Sequence, residues 1–298
     1  MISTNKRGAL LAAGALVINA FIWGVSWWPL RELQARGMHP LWTTALVYFV
    51  VFAGLLVFYR GSLKGFSAHP QLWLLALAAG ITNVGFNWAV TVGDVVRVVL
   101  LFYLMPAWSV LVAWALLGEK PTAASLLRLV IAMAGVLVVL QAPGAAWPVP
   151  QGLPDWLAIM GGFSFALTNV MLSKLSHTPT SSRMLAMFAG GAVMAAAAAL
   201  AGMAQSIVPA PSLQGMAPLL VIGLSLAFLI SNAALQYGAA RLAATTTALV
   251  MLTEILFASG SAALLDAAAF TPRIWLGGGL IVVAALMAAL SPSTDKKH

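Results

Sequence analysis

The chain has no cysteine, and only seven of its 298 residues are acidic. The first absence removes thiol nucleophiles, thiolate metal sites and disulfide scaffolds together. The second is part of a wider scarcity, because charged residues make up 7% of the chain, against about a quarter in soluble domains. So few charges do not coat a water-soluble surface, and the same count excludes disorder and coiled coil. Histidine is also scarce. His39, His69, His177 and His298 all fall in expected loops or in the tail, so no imidazole base or ligand lies within an apolar run. There is no H-E-x-x-H, G-x-S-x-G or Walker A sequence. Gly24-Val25-Ser26 offers a serine without a buried base to activate it. No enzyme activity and no cofactor are expected.

What is present is apolar. Hydrophobic residues make up 62% of the chain, with a mean hydropathy of +0.98. A bilayer core needs about 20 apolar residues at 1.5 Å each. Ten stretches meet that length: Ala9–Pro29, Pro40–Tyr59, Leu72–Val92, Val95–Leu117, Thr122–Leu140, Leu153–Leu175, Ser182–Gln205, Leu213–Tyr237, Ala239–Leu265 and Pro272–Leu290. Turn residues separate them, among them Arg60-Gly61-Ser62, Pro143-Gly144 and Pro209-Ala210-Pro211. The first run ends in Trp27-Trp28-Pro29 rather than in small residues, so it reads as a retained helix, not a signal peptide.

The net charge of +8 would suggest nucleic acid in a soluble domain, but here it follows the positive-inside rule. With the N-terminus inside, Lys6, Arg7, Arg60, Lys64, Lys120, Arg128, Lys174, Arg183, Arg241, Lys296 and Lys297 are cytoplasmic. Only Arg31, Arg36, Arg97 and Arg273 are external. That bias requires an even number of spans and puts both termini in the cytoplasm. Trp73, Trp147, Trp156 and Trp275 sit at span ends, as interfacial aromatics do.

The two halves of the chain resemble each other. Ala20-Phe21-Ile22-Trp23-Gly24-Val25-Ser26 matches Gly162-Phe163-Ser164-Phe165-Ala166-Leu167-Thr168 in size and polarity. Asn83, Asn87 and Trp88 match Asn232, Gln236 and Tyr237 at one offset, and Ala115-Leu116-Leu117 matches Ala263-Leu264-Leu265. Pro106 then falls opposite Glu254. Five spans per half is an odd number, so the second copy is expected upside down. Inverted repeats of this kind build secondary transporters, with the solute site near the midplane. The expected units are residues 1–142, an outer linker 143–152, and residues 153–298.

Over nearly its whole length the sequence resembles the drug/metabolite transporter superfamily, EamA type. The resemblance rests on Ile22-Trp23-Gly24-Val25-Ser26, on Tyr103-Leu104-Met105-Pro106 with Leu116-Leu117-Gly118-Glu119-Lys120-Pro121, and on Gly135-Val136-Leu137-Val138-Val139-Leu140. It implies that Gly118-Glu119 ends the fourth helix. Two positions depart from the pattern. Thr43, Thr44 and Tyr48 stand where many members carry an Arg, and Leu265-Asp266-Ala267 stands where a second Gly-Glu would fall. A Tyr in the second helix is similar to members that export aromatic amino acids.

Glu254 is the acid deepest in any apolar run, whereas Asp94, Glu119, Asp155 and Asp266 fall at span ends. A mid-bilayer charge costs about 2.5–3.5 kcal/mol on insertion scales. Glu254 is therefore a candidate for proton exchange or for a counter-charge to an amino group, with a protonated structural hydrogen bond as the alternative. Asn83 and Asn87 share a helix face, as do Asn232 and Gln236. Such amides suit a zwitterion, or else hydrogen-bond helix to helix. Trp23, Tyr48, Trp88, Tyr103 and Trp108 lie within spans and are candidates for an aromatic cavity or for plain packing. Pro106 is expected to kink its helix, and Gly80, Gly85, Gly161, Gly162, Gly190, Gly191 and Gly277 to Gly279 to allow close helix packing. Arg97 is expected near the outer mouth.

Together these features predict an all-α inner-membrane protein of ten transmembrane helices in two inverted five-helix repeats. It is expected to work as an alternating-access carrier exporting small metabolites, amino acids including aromatic ones, or amphiphilic drugs. The alternatives are an uptake permease or channel and, further off, an intramembrane enzyme. Its expected partners are membrane lipids, a small-molecule substrate and protons, with no nucleic acid.

Overall fold

The computed structural model describes residues 2–93, 95–140, 150–265 and 272–290, without the side chains of 2–6, 90, 91, 95–97, 140 and 274. Asp94, Trp147, Asp266, Lys296, Lys297 and His298, most of the 143–152 linker and the side chains of Lys6 and Arg97 thus lie outside the described residues. The helices are α1 (Ile2–Val25), α2 (Trp27–Ala35), α3 (Pro40–Phe58), α4 (Lys64–Ala68), α5 (Gln71–Val92), α6 (Val95–Phe102) and α7 (Met105–Leu117). They continue with α8 (Ala123–Leu140), α9 (Leu153–Lys174), α10 (Thr180–Ala204), α11 (Ala217–Ala239), α12 (Ala244–Met251), α13 (Glu254–Leu264) and α14 (Pro272–Ala289). No strand occurs among the described residues.

Eight apolar stretches are long enough to cross a membrane: α1 with α2, α3, α5, α6 with α7, α9, α10, α11, and α12 with α13. The other two expected spans are apolar but shorter, at Ala123–Val139 and Trp275–Ala289. Both border residues outside the described set.

Local chemistry sets the helix ends. His39 caps α3 by accepting the Leu41 N–H at 3.2 Å, with Pro40 opening the first turn. Asp155 in the first turn of α9 accepts the Gln151 N–H at 2.8 Å. At the end of α7, Gly118 is left-handed (φ 70°), and the Glu119 N–H reaches back to the Ala113 carbonyl at 3.3 Å. The Gly118 N–H also bonds the Trp114 carbonyl at 3.1 Å, the five-to-one bond of an αL helix cap. It gives the Gly118-Glu119 pair a structural reason, since only glycine takes that backbone without strain.

Two apolar runs that read as continuous helices are broken midway. Between α6 and α7, and again between α12 and α13, the bonding tightens to i→i−3: Leu104 N–H to Leu101 at 3.3 Å, Thr253 N–H to Val250 at 3.1 Å. Pro106 lies just beyond the first break, in the opening turn of α7. It has no N–H to offer the Phe102 carbonyl, and that carbonyl instead abuts Gly162 so closely that a Cβ there would overlap it. Glu254 is the first residue after the second break.

With no aqueous hydrophobic drive between helices in lipid, close backbone contact and polar pairs hold such a bundle together. Gly190 of α10 lies against the Ala76 carbonyl of α5, and a Cβ at Gly24 of α1 would come within 2.8 Å of the Glu254 carbonyl oxygen. Gly135 of α8 faces Gly277 of α14 in the same way, whereas Gly279 faces open space. The helix pairings form matched sets: α5 on α9 and α11 on α1; α6 and α7 on α9 and α12 and α13 on α1; α5 on α10 and α11 on α3. The pairs α3–α10 and α8–α14 join the halves directly. Large apolar side chains such as Leu77, Val130, Leu219, Ile230 and Leu276 point outward.

Candidate functional site

At the level of the two helix breaks the bundle encloses a cavity of about 820 Å³ of non-atom space, its mouth included. Every wall is helical. Asn19 and Trp23 come from α1, Tyr48 from α3, Thr82, Asn83, Phe86 and Asn87 from α5, and Phe102 and Tyr103 from the first break. Phe165 and Thr168 (α9), Met187 and Phe188 (α10), and Phe228, Asn232 and Leu235 (α11) complete it with Met251 and Glu254 at the second break.

The polar lining is mostly paired. Tyr48 hydrogen-bonds Asn83, and Asn87 donates to the Thr44 hydroxyl. Asn83 also donates to the Ala79 carbonyl at 2.8 Å, and Gln236 donates to Asn232 Oδ1 at 2.9 Å. Across the cavity Tyr103 and Glu254 share a side-chain hydrogen bond, which joins the two breaks. Asn19 donates to both the carbonyl (2.9 Å) and the hydroxyl (2.6 Å) of Ser231. Aromatic faces supply the rest: Trp23 stacks on Phe228 with centroids 4.3 Å apart, and Phe102 contacts Phe86 at 4.7 Å and Phe165 at 5.9 Å. Glu254 is the one acidic side chain of the lining, which contains no Lys, Arg or His.

Of the candidates from sequence, Trp23, Tyr48, Asn83, Asn87, Tyr103, Asn232 and Glu254 converge on this cavity. Gln236 is fully buried one turn along α11 from Asn232. Trp88 packs instead with Leu41, Ala199 and Val208. Trp108 lies edge-on to Phe163 at 5.8 Å. Asn19, Thr168 and the phenylalanines were missed. Asn19 carried a usable signal, an amide inside the first apolar run, whereas a phenylalanine in a span carries none. No group of acidic or histidine residues suited to hold a metal ion occurs among the described residues.

Residues 8–141 match the EamA-like transporter family. No curated protein matches at a significant level. One solved structure, described only as a crystal structure of a protein, superposes with a TM-score of 0.76 over 94% of this chain and 96% of its own. At 20% identity that likeness is one of fold.

Proposed function

We propose that this chain, whose residues 8–141 match the EamA-like transporter family, is a member of the drug/metabolite transporter superfamily and an inner-membrane secondary transporter. It exports small metabolites by alternating access, amino acids including aromatic ones foremost and amphiphilic drugs next. One observation carries the proposal: a central cavity joins aromatic faces, four amides and one carboxylate where two spans are broken. The Trp23–Phe228 stack and the Phe86–Phe102–Phe165 group offer flat apolar walls. Asn83, Asn87 and Asn232 offer both donors and acceptors, which a zwitterion's carboxylate and ammonium need together. Glu254 carries the proton that exchanges during the cycle, with Tyr103 as its partner.

The same proposal takes the chain as ten spans in two inverted repeats, residues 1–142 and 153–298 joined by 143–152, with both termini cytoplasmic and lipid around the outward apolar side chains. The matched helix pairings and the paired breaks support it. Broken helices with a midplane site are how inverted-repeat carriers place polar groups inside a bilayer. The test is uptake into proteoliposomes from a mixed metabolite pool, followed by mass analysis of what entered. Saturable uptake of amino acids with counterflow is expected, and a flux that neither saturates nor shows counterflow would refute a carrier.

A further inference from the structure

Beneath the cavity lies a second polar layer that the carrier function does not yet use. Asn169 of α9, Gln236 of α11, Thr247 of α12 and Ser109 of α7 are each fully buried. Among the described residues no hydrogen-bond partner meets the Ser109 hydroxyl, the Thr247 hydroxyl, Gln236 Oε1, or either end of the Asn169 amide. Orphans of this kind are rare because burial strips their water without replacing it.

Their placement is regular. Asn169 is four residues past Phe165, Gln236 four past Asn232, and Thr247 four before Met251, and all three of those neighbours line the cavity. These three are thus each one helical turn from the cavity on the same helix face, and Ser109 lies one turn past Met105, the first residue of α7. The turns all run the same way. Asn19 of α1 meets Ser231, while Gly238 lies against Ala12 and Leu16, so α11 descends toward the N-terminal end of α1. Val170 packs with Ala244, and both pack with Val112 and Ala113, which sit one turn beyond Ser109 on α7. That cluster closes the seam between α7, α9 and α12 below the orphans.

We propose that Ser109, Asn169, Gln236 and Thr247 form a second solute-contact layer, closed in this conformation and wetted when the bundle opens on the side of the chain termini. It rests on the carrier function above. The layer holds two amides and two hydroxyls and no charge, so it suits hydrogen bonding to a polar, net-neutral solute in passage rather than capture of an ion. A permanently closed seam has no use for five unpaired polar atoms, whereas an opening seam has them facing the passing solute and its water.

The absence of native cysteine makes the test direct. Ser109→Cys, Thr247→Cys and, as a cavity reference, Asn83→Cys are made singly and exposed to a charged, water-soluble methanethiosulfonate in right-side-out and inside-out vesicles. Ser109→Cys and Thr247→Cys are expected to react from the side of the termini. If both stay inert from both sides while Asn83→Cys reacts, the second layer is refuted and the cavity stands. An inert Asn83→Cys removes the cavity, and the layer with it.

Asn169→Leu supplies an independent readout. It replaces orphaned amide atoms with apolar ones of similar volume, so the Tm in detergent rises, while uptake from the mixed metabolite pool falls about three- to tenfold, the worth of one lost hydrogen bond in transit. A raised Tm with unchanged uptake would make the amide a bystander, and a lowered Tm would make it paired glue. Either result overturns the proposal. Wild-type vesicles that take up nothing would refute the carrier itself, independently of the thiol reactions.

Discussion

Replacing Glu254 with Gln separates coupling from carrying. Glu254 is the one acid lining the cavity, so a cycle that uses it exchanges at most one proton. One pH unit is worth about 1.36 kcal/mol per proton, which is a factor of ten in concentration. With the membrane potential clamped at zero, a gradient of about two pH units therefore supports at most about a hundredfold accumulation of a net-neutral solute. Gln has nearly the same shape and can still bond the Tyr103 hydroxyl that Glu254 engages. Glu254→Gln should accordingly fold as the wild type does, equilibrate solute to a ratio of about one under the same gradient, and keep counterflow, which moves no net proton. Proteoliposomes loaded at one pH and diluted into another, with valinomycin and equal potassium, report both quantities from one preparation. Gradient-driven accumulation at the wild-type level would refute proton exchange at Glu254. Joint loss of accumulation and counterflow would assign the carboxylate to an ammonium group of the solute instead.

Asn87→Leu and Gln236→Leu should each slow uptake while leaving the protein monodisperse on size-exclusion chromatography, because Leu suits the bilayer interior and, for Asn87, Thr44 keeps its own bond to the Pro40 carbonyl at 3.0 Å; normal uptake in both would make the amides glue or bystanders. Gly190→Ala forces a methyl group onto the Ala76 carbonyl and should cost about 1–3 kcal/mol in thermal unfolding. The control Gly279→Ala, which faces open space, should stay within about 0.5 kcal/mol of wild type. Burial holds the His39 imidazole below its usual pKa, so its neutral form caps α3. That contribution is complete above about pH 6.5 and is lost as the pH falls through the lower folded-state value. The protection of the Leu41 amide relative to its intrinsic exchange rate should therefore fall on acidification, and His39→Asn, a cap that does not titrate, should abolish the change.

The helices were legible because lipid-length apolar runs admit little else. Their interruptions were less so. Pro106 announced a disturbance, although the break falls two residues before it, at Tyr103 and Leu104. Leu252-Thr253 announced nothing: no proline or glycine marks it, and the Thr253 hydroxyl bonding back to Val250 at 2.8 Å is a local competition visible only in three dimensions. The i, i+4 amides were legible as a face, but not which face met which. Asn19 was overlooked because its partner Ser231 lies 212 positions away. Trp88 and Trp108 show the converse, since an aromatic within a span looks the same whether it faces a cavity or a neighbour.

Thr44 and Tyr48 stand four apart on α3, and their partners Asn87 and Asn83 stand four apart on α5. The order is reversed, so the two bonds form rungs between antiparallel helices. Rungs at matched spacing act as a detent. Sliding one helix past the other by a full turn, about 5.4 Å, brings one rung's worth of groups back into register and strands the rest, and any smaller slide strands them all. Shear along this wall of the cavity is thereby penalised at every displacement, and α3 and α5 travel as one strut. In the alternating-access cycle proposed above, the joints would then lie where no such rungs cross, at the two interrupted spans.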